Sequence, residues 1–164
     1  MGRGRAVCYF SVAAATLSGG FVRTLSTPGA RNSDSEWRVI AIVEDDDSVR
    51  KAVIRLLEVA GYSVRGYASG YEFLENWRVD SPDCLVLDLR MPSLWGTEVL
   101  RVLNRAGARF PVIVMTADDS PGAREECLRE GPVAYLRKPP DERLLLDALR
   151  LALGRAIASK TTNL

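Results

Sequence analysis

From residue 37 onward, short aliphatic and β-branched runs alternate with longer stretches whose apolar positions recur every three or four residues. Arg38–Val43 (RVIAIV) is a β-branched run suited to a buried strand. Val49, Ala52, Val53, Leu56, Leu57 and Ala60 then fall at helical spacing. Asp46 or Asp47 suits the N-cap of that helix, and Gly61 its stop. Ser63–Tyr67 reads as a second strand, and Gly70–Trp77 as a short helix burying Phe73, Leu74 and Trp77. Cys84–Leu87 is a third apolar strand, ending on Asp88. A loop with Pro92 and Gly96 leads into a helix over Thr97–Ala106, stopped by Gly107. Pro111–Met115 is a fourth strand, ending on Thr116, and Pro121 suits the first turn of a helix running to Gly131. Val133–Leu136 is a fifth strand. After Arg137, Lys138, Pro139 and Pro140, Asp141 can cap a last helix with Leu144, Leu145, Ala148, Leu149 and Ala152 on one face.

Five strand–helix units in succession predict a parallel sheet with helices on both faces. The strands are apolar on both sides rather than alternating, as a sheet covered on both faces requires. Such an α/β, doubly wound fold serves many enzymes and binding modules, so function has to come from the site.

Composition narrows the choice. The 164 residues give room for one ordinary domain with a core and a little to spare. Net charge is +1, yet residues 1–33 hold four arginines and no acid, which leaves 18 basic against 21 acidic residues in the rest. A domain near −3 gives no electrostatic reason to expect direct nucleic-acid binding. Nineteen of the 22 basic residues are arginine, so each of the three lysines, Lys51, Lys138 and Lys160, draws attention. Cys8, Cys84 and Cys127 have no metal-ligand spacing and read as reduced thiols of a cytoplasmic protein. The absence of histidine excludes His-based acid–base or triad catalysis and most zinc sites.

Residues 1–36 stand apart. Arg3 and Arg5 precede the apolar run Ala6–Leu17, with small residues Ala13–Ala15, so the segment reads as a disordered or targeting-like extension. The run is too short to cross a membrane, and no membrane association is expected. The domain is expected over 37–155, with a short tail at 156–164.

In an open α/β sheet, ligands bind beyond the carboxyl ends of the strands. Glu44 and Asp45 follow the first strand, Asp88 ends the third, Thr116 the fourth, and Lys138 follows the fifth. Three carboxylates meeting there repel one another unless a cation holds them ionised. Hard oxygen ligands favour Mg²⁺. An Asp beside Mg²⁺ can act as a nucleophile toward phosphorus, while a Lys ammonium and a Thr hydroxyl pair with phosphoryl oxygens. Each of these residues has an ordinary explanation when taken alone, as cap, turn, strand or solvated residue. Their coincidence at the strand ends points to reversible phosphorylation of an Asp.

Four segments make a resemblance specific: Ile42–Arg50 (IVEDDDSVR), Val86–Pro92 (VLDLRMP) with Gly96, Val114–Ala117 (VMTA) and Arg137–Pro139 (RKP). In order and spacing, from about Val39 to Leu153, they resemble the receiver domain of two-component response regulators. The Asp-Leu-Arg-Met-Pro wording is similar to the branch that usually carries a C-terminal helix-turn-helix. The resemblance implies a flavodoxin-like five-stranded sheet in the order 2-1-3-4-5, with Asp88 as phospho-acceptor. It implies Mg²⁺ held by Glu44, Asp45, Asp88 and the backbone carbonyl of Arg90. It further implies phosphoryl contacts from Thr116 and Lys138, access past the small Ala117, and a switch through Thr116 and Tyr135. Lys138–Pro139 is the peptide bond expected to be cis.

Implied partners are a sensor histidine kinase or phosphotransfer protein, an unknown downstream protein, and a second copy of the phosphorylated chain. About ten residues follow the last helix, so output is expected from a partner, a dimer or simple competition for phosphate, with the face of Ser120–Glu130, Val133–Leu136 and Asp141–Leu153 as the usual contact surface. Pro132, Pro140 and Glu44 depart from the family's usual residues. Pro140 stiffens the loop carrying Lys138 and lacks a backbone donor, which leaves a phosphate-independent, degenerate receiver as an alternative. A phosphohydrolase with an Asp nucleophile would want a second Asp at position 90, where Arg90 stands; no enzyme activity is expected.

Overall fold

The computed structural model describes residues 38–117 and 120–161. The expected extension at 1–36 therefore lies outside the described residues. Five strands, β1 (Val39–Val43), β2 (Ser63–Tyr67), β3 (Cys84–Asp88), β4 (Val112–Thr116) and β5 (Ala134–Arg137), form one parallel sheet. Their spatial order is β2-β1-β3-β4-β5, as the resemblance implied. The helices are α1 (Asp47–Val59), α2 (Gly70–Asp80), α3 (Gly96–Arg105), α4 (Pro121–Arg129) and α5 (Glu142–Thr161).

Alternate strand residues face opposite sides of a sheet, and here both sides are apolar. Ile40, Ile42, Val86 and Ile113 pack with Val53 and Leu57 of α1 and Leu145 and Leu149 of α5. Ala41, Val43, Leu85, Leu87 and Val114 pack on the other side with Phe73 of α2, Val99 and Leu103 of α3, and Cys127 of α4. Burying a side chain such as Leu57 or Phe73 contributes roughly 2 kcal/mol over leaving it exposed. Two cores thus clamp the sheet and fix where its carboxyl ends lie.

The structure departs from the sequence expectations in identifiable places. At the sheet edge, β2 is only half covered, with Arg65 and Gly66 exposed and Tyr67 alone fully buried. On α1, Ala52 and Ala60 are exposed although they share the helical period, because Val53 and Leu57 already fill the contact with the sheet. On α2, Phe73 is buried but Leu74 and Trp77 are only half-buried. That helix runs one turn past Trp77 to Asp80, whose carboxylate takes the Tyr67 hydroxyl and the Arg65 guanidinium. It ends where Ser81 adopts a left-handed conformation (φ 43°) ahead of Pro82. On α5, the helix continues to Thr161, well into the stretch expected as a tail from 156. Leu, Ala, Arg and Ile favour its continuation, and Gly154 weakens a helix interior without ending it.

The strands end nearly level. Val43 is opposite Leu87, Asp88 opposite Met115, and Thr116 opposite Arg137. The residues at or just past those ends, Glu44, Asp88, Thr116 and Lys138, therefore share one rim of the sheet.

Candidate functional site

Glu44 leaves the end of β1 already tied down: its N–H donates to Tyr67 O at 3.1 Å. The loop that follows turns directly into α1, because Asp46 caps that helix and accepts from Ser48 N at 2.8 Å and Val49 N at 3.1 Å. These bonds hold the Asp46 carboxyl below its ordinary range, the Ser48 hydroxyl contributing most. Asp46 is thus a structural acid, and the acids left for chemistry are Glu44 and Asp45.

Arg50, one turn into α1, reaches back to the same loop. Its Nη1 donates to Glu44 O at 2.7 Å and Asp45 O at 3.4 Å, and its Nη2 meets Asp47 Oδ1 at 2.6 Å. Sequence reasoning gave Arg50 no role. Its i, i+3 spacing to Asp47 was the only available signal.

Asp88 is 3% exposed and Glu44 1%. Two like charges so buried need a cation, and Lys138 supplies one. Its Nζ lies 2.5 Å from Glu44 Oε2 and 2.7 Å from Asp88 Oδ2. Burial, helped by the Asp88 charge, pushes the Glu44 carboxyl above its ordinary pKa even against the Lys138 ammonium. For Lys138, burial acts to lower the pKa, but the bonds to Asp88 and Glu44 outweigh it and the net shift is upward. Asp88 Oδ1 accepts the Arg90 N–H at 3.0 Å. Beyond it, the Arg90 guanidinium lies 5.5 Å from the centre of the exposed Trp95 ring.

Glu44, Asp45 and Asp88 each place a carboxylate oxygen within 4.8 Å of the others. Asp45 is exposed, so the cluster opens to solvent on its side. Glu44 Oε2 is fully buried, and the Lys138 ammonium 2.5 Å away is what compensates its charge. A buried oxygen in that state, beside two further carboxylates, fits a hard divalent cation with all-oxygen ligands such as Mg²⁺.

Thr116 is fully buried at the end of β4, and its carbonyl accepts Lys138 N–H at 2.8 Å. The Lys138–Pro139 bond is cis. Tyr135 stands away from the acids on the α4 side of β5, half-buried, with the Arg124 guanidinium 5.4 Å from its ring centre. Gly96 closes the floor: its N–H donates to Leu89 O at 2.9 Å. A Cβ there would fall 2.4 Å from Asp88 O and 2.8 Å from Leu89 Cα.

Residues 40–150 match the response regulator receiver domain. The chain belongs to that family. The response regulator MprA of Mycobacterium avium is 42% identical over 116 residues, covering 71% of this chain and 51% of MprA. The transcriptional regulatory protein FixJ of Azorhizobium caulinodans is 36% identical over 117 residues, 71% of this chain and 56% of FixJ. The chain thus spans about half the length of these curated relatives. Among solved structures, FixJ-N superposes with a TM-score of 0.67 at 30% identity, covering 71% of this chain and 94% of that one. The Vibrio cholerae chemotaxis protein CheY4 gives 0.67 at 28% identity, with 71% and 99% covered. Receiver domains of two-component systems typically bind Mg²⁺ at an acidic pocket, and Glu44, Asp45 and Asp88 form an acidic cluster here. Among the described residues, no helix of this receiver is long and apolar enough to cross a membrane.

Proposed function

We propose that this receiver takes a phosphoryl group onto Asp88 from the phosphohistidine of a sensor histidine kinase or phosphotransfer protein. The observation that supports this most is the Lys138 ammonium bridging Asp88 and the buried Glu44 oxygen at a rim of three carboxylates. Glu44, Asp45, Asp88 and the Arg90 carbonyl would hold the Mg²⁺. The ion would supply positive charge that offsets repulsion between the carboxylates and the incoming phosphoryl group.

An Asp88 carboxylate oxygen attacks phosphorus, and the bond from phosphorus to the donor's imidazole nitrogen breaks with its electron pair going to the donor. The product is an acyl phosphate on Asp88. Lys138 moves from Asp88 Oδ2 to a phosphoryl oxygen, where its flexible point charge serves equally well. The Thr116 hydroxyl donates to another phosphoryl oxygen. Water later attacks phosphorus and returns the Asp88 carboxylate and inorganic phosphate.

Signal leaves through a shift between two conformations. Thr116 drawn toward the phosphoryl group vacates space on the β4–β5 side, and Tyr135 turns inward. The surface of α4, β5 and α5 then favours a downstream protein or a second copy of the receiver. Incubation with acetyl phosphate or phosphoramidate and Mg²⁺, read by intact mass, tests the reaction. One added phosphoryl group that EDTA prevents supports it; folded, Mg²⁺-binding protein that stays unmodified would leave the phosphate-independent module instead.

A further inference from the structure

The three acids owe their convergence to unequal constraints. Glu44 is held from its N–H by Tyr67 O and through its side chain by Lys138. Asp88 is held by Arg90 N–H and Lys138. Asp45 is exposed, and among the described residues its carboxylate has no hydrogen-bond or ion-pair partner. No side-chain tie places it, so its backbone must bring it to the cluster, and Arg50 Nη1 reaches the carbonyls on both sides of its Cα, Glu44 O and Asp45 O.

Arg50 is built into the fold for this contact. Its side chain is only 16% exposed although it ends in a charge. It runs past Gly66 of β2, where a Cβ would come within 3.4 Å of Arg50 Cδ and 2.7 Å of Ile54 Cδ1. Gly66 has no left-handed backbone to explain it, so the space it leaves for these two side chains is its evident use. The planar guanidinium then forks between two successive carbonyls and the Asp47 carboxylate, a pattern that a single-headed lysine cannot reproduce.

We propose that Arg50 is the positioning residue of the acid cluster. Gripping the Glu44 and Asp45 carbonyls holds the loop in the geometry that brings the Asp45 carboxylate to Glu44 and Asp88. Arg50 itself touches neither metal nor phosphoryl group. The inference rests on reading the cluster as the Mg²⁺ site of the phospho-acceptor, and it adds that the site is pre-formed by a side chain acting from behind. Outer groups that orient metal ligands are worth about 10- to 100-fold in affinity when removed.

Calorimetric titration of the full chain with MgCl₂ tests it, with the melting temperature in EDTA measured alongside. Arg50→Met keeps an aliphatic stem of similar reach without the fork. It is expected to weaken Mg²⁺ binding about tenfold while the metal-free protein still melts cooperatively. Arg50→Lys keeps the charge and is also expected to bind more weakly than wild type. That variant serves as the main test if Arg50→Met fails to fold. An Arg50→Lys affinity equal to wild type would reduce the effect to bulk charge and overturn positioning. So would a folded Arg50→Met within about twofold of wild type. Wild-type protein that binds no Mg²⁺ would remove the underlying reading as well, whereas normal wild-type binding with unaffected variants removes only the role of Arg50.

Discussion

The Lys138 ammonium lies 2.7 Å from Asp88 and 2.5 Å from Glu44, so one half-buried cation is shared by two carboxylates that water scarcely reaches. Replacing Lys138 with Met leaves both acids buried without compensation. Breaking a buried pair from one side costs on the order of 3 kcal/mol, and urea unfolding in EDTA is expected to show a loss of that size. Saturating Mg²⁺ is expected to restore much of it, since the metal then carries the compensating charge.

The two raised pKa values give metal-free stability a characteristic pH dependence. Glu44 has an ordinary value of 4.5, raised by burial and by Asp88. Between 4.5 and the raised value, the folded state binds the proton more tightly than the unfolded one, so stability falls as pH rises through that window. Lys138 is raised above 10.5; its contribution is full below 10.5 and disappears as pH rises through the folded-state value. Melting temperatures against pH in EDTA are expected to show both declines. Glu44→Gln is expected to remove the acid-side one, and its persistence in that variant would point to another group.

Gly96 and Gly107 separate two uses of glycine. At Gly96 an added methyl meets the Asp88 carbonyl and Leu89 Cα. Gly96→Ala should therefore cost roughly 2 kcal/mol by overpacking and slow phosphorylation by displacing the strand end that carries Asp88. At Gly107 nothing lies within 4 Å, but φ is +73°. Gly107→Ala should cost about 1 kcal/mol from backbone strain with an unchanged phosphorylation rate. Stability and the rate with acetyl phosphate, measured on both variants, distinguish the two.

Cys84 and Cys127 are buried, and their thiols are hard to ionise. Burial, with Glu130 and Glu126 adding, pushes Cys127 up to about 12. Burial, with Asp83 adding, raises Cys84 as well. Since the thiolate is the reactive form, neither should be alkylated by iodoacetamide at neutral pH until urea unfolds the domain, as peptide mass mapping would show.

Much of this arrangement was legible in the sequence, for a physical reason. Strands buried on both faces write continuous apolar runs, and the residue after each run must sit at the carboxyl rim. That rule located Glu44, Asp88, Thr116 and Lys138 before any coordinates. It could not tell that Arg65 and Gly66 of β2 are left exposed, because Ser63–Tyr67 is mixed in character and carries no continuous apolar run. The extra length of α2 and α5 escaped because helix ends depend on what the last turn meets: Asp80 finds Tyr67 and Arg65. Arg50 escaped because two of its partners are backbone carbonyls, which leave no mark on composition. The tie between α3 and α4, where Arg101 binds Glu126 and Glu130, spans 25 and 29 positions and follows no local period.

The most direct test of the central claim is to identify the phosphorylated side chain itself. Protein treated with acetyl phosphate and Mg²⁺ is reduced with borohydride, which converts an aspartyl phosphate to homoserine, and the digest is read by tandem mass spectrometry. Homoserine at position 88, absent from Asp88→Asn and from a sample kept in EDTA, is the expected result. Homoserine at position 45 or 83 instead, or an adduct that survives in Asp88→Asn, would contradict Asp88 as the acceptor.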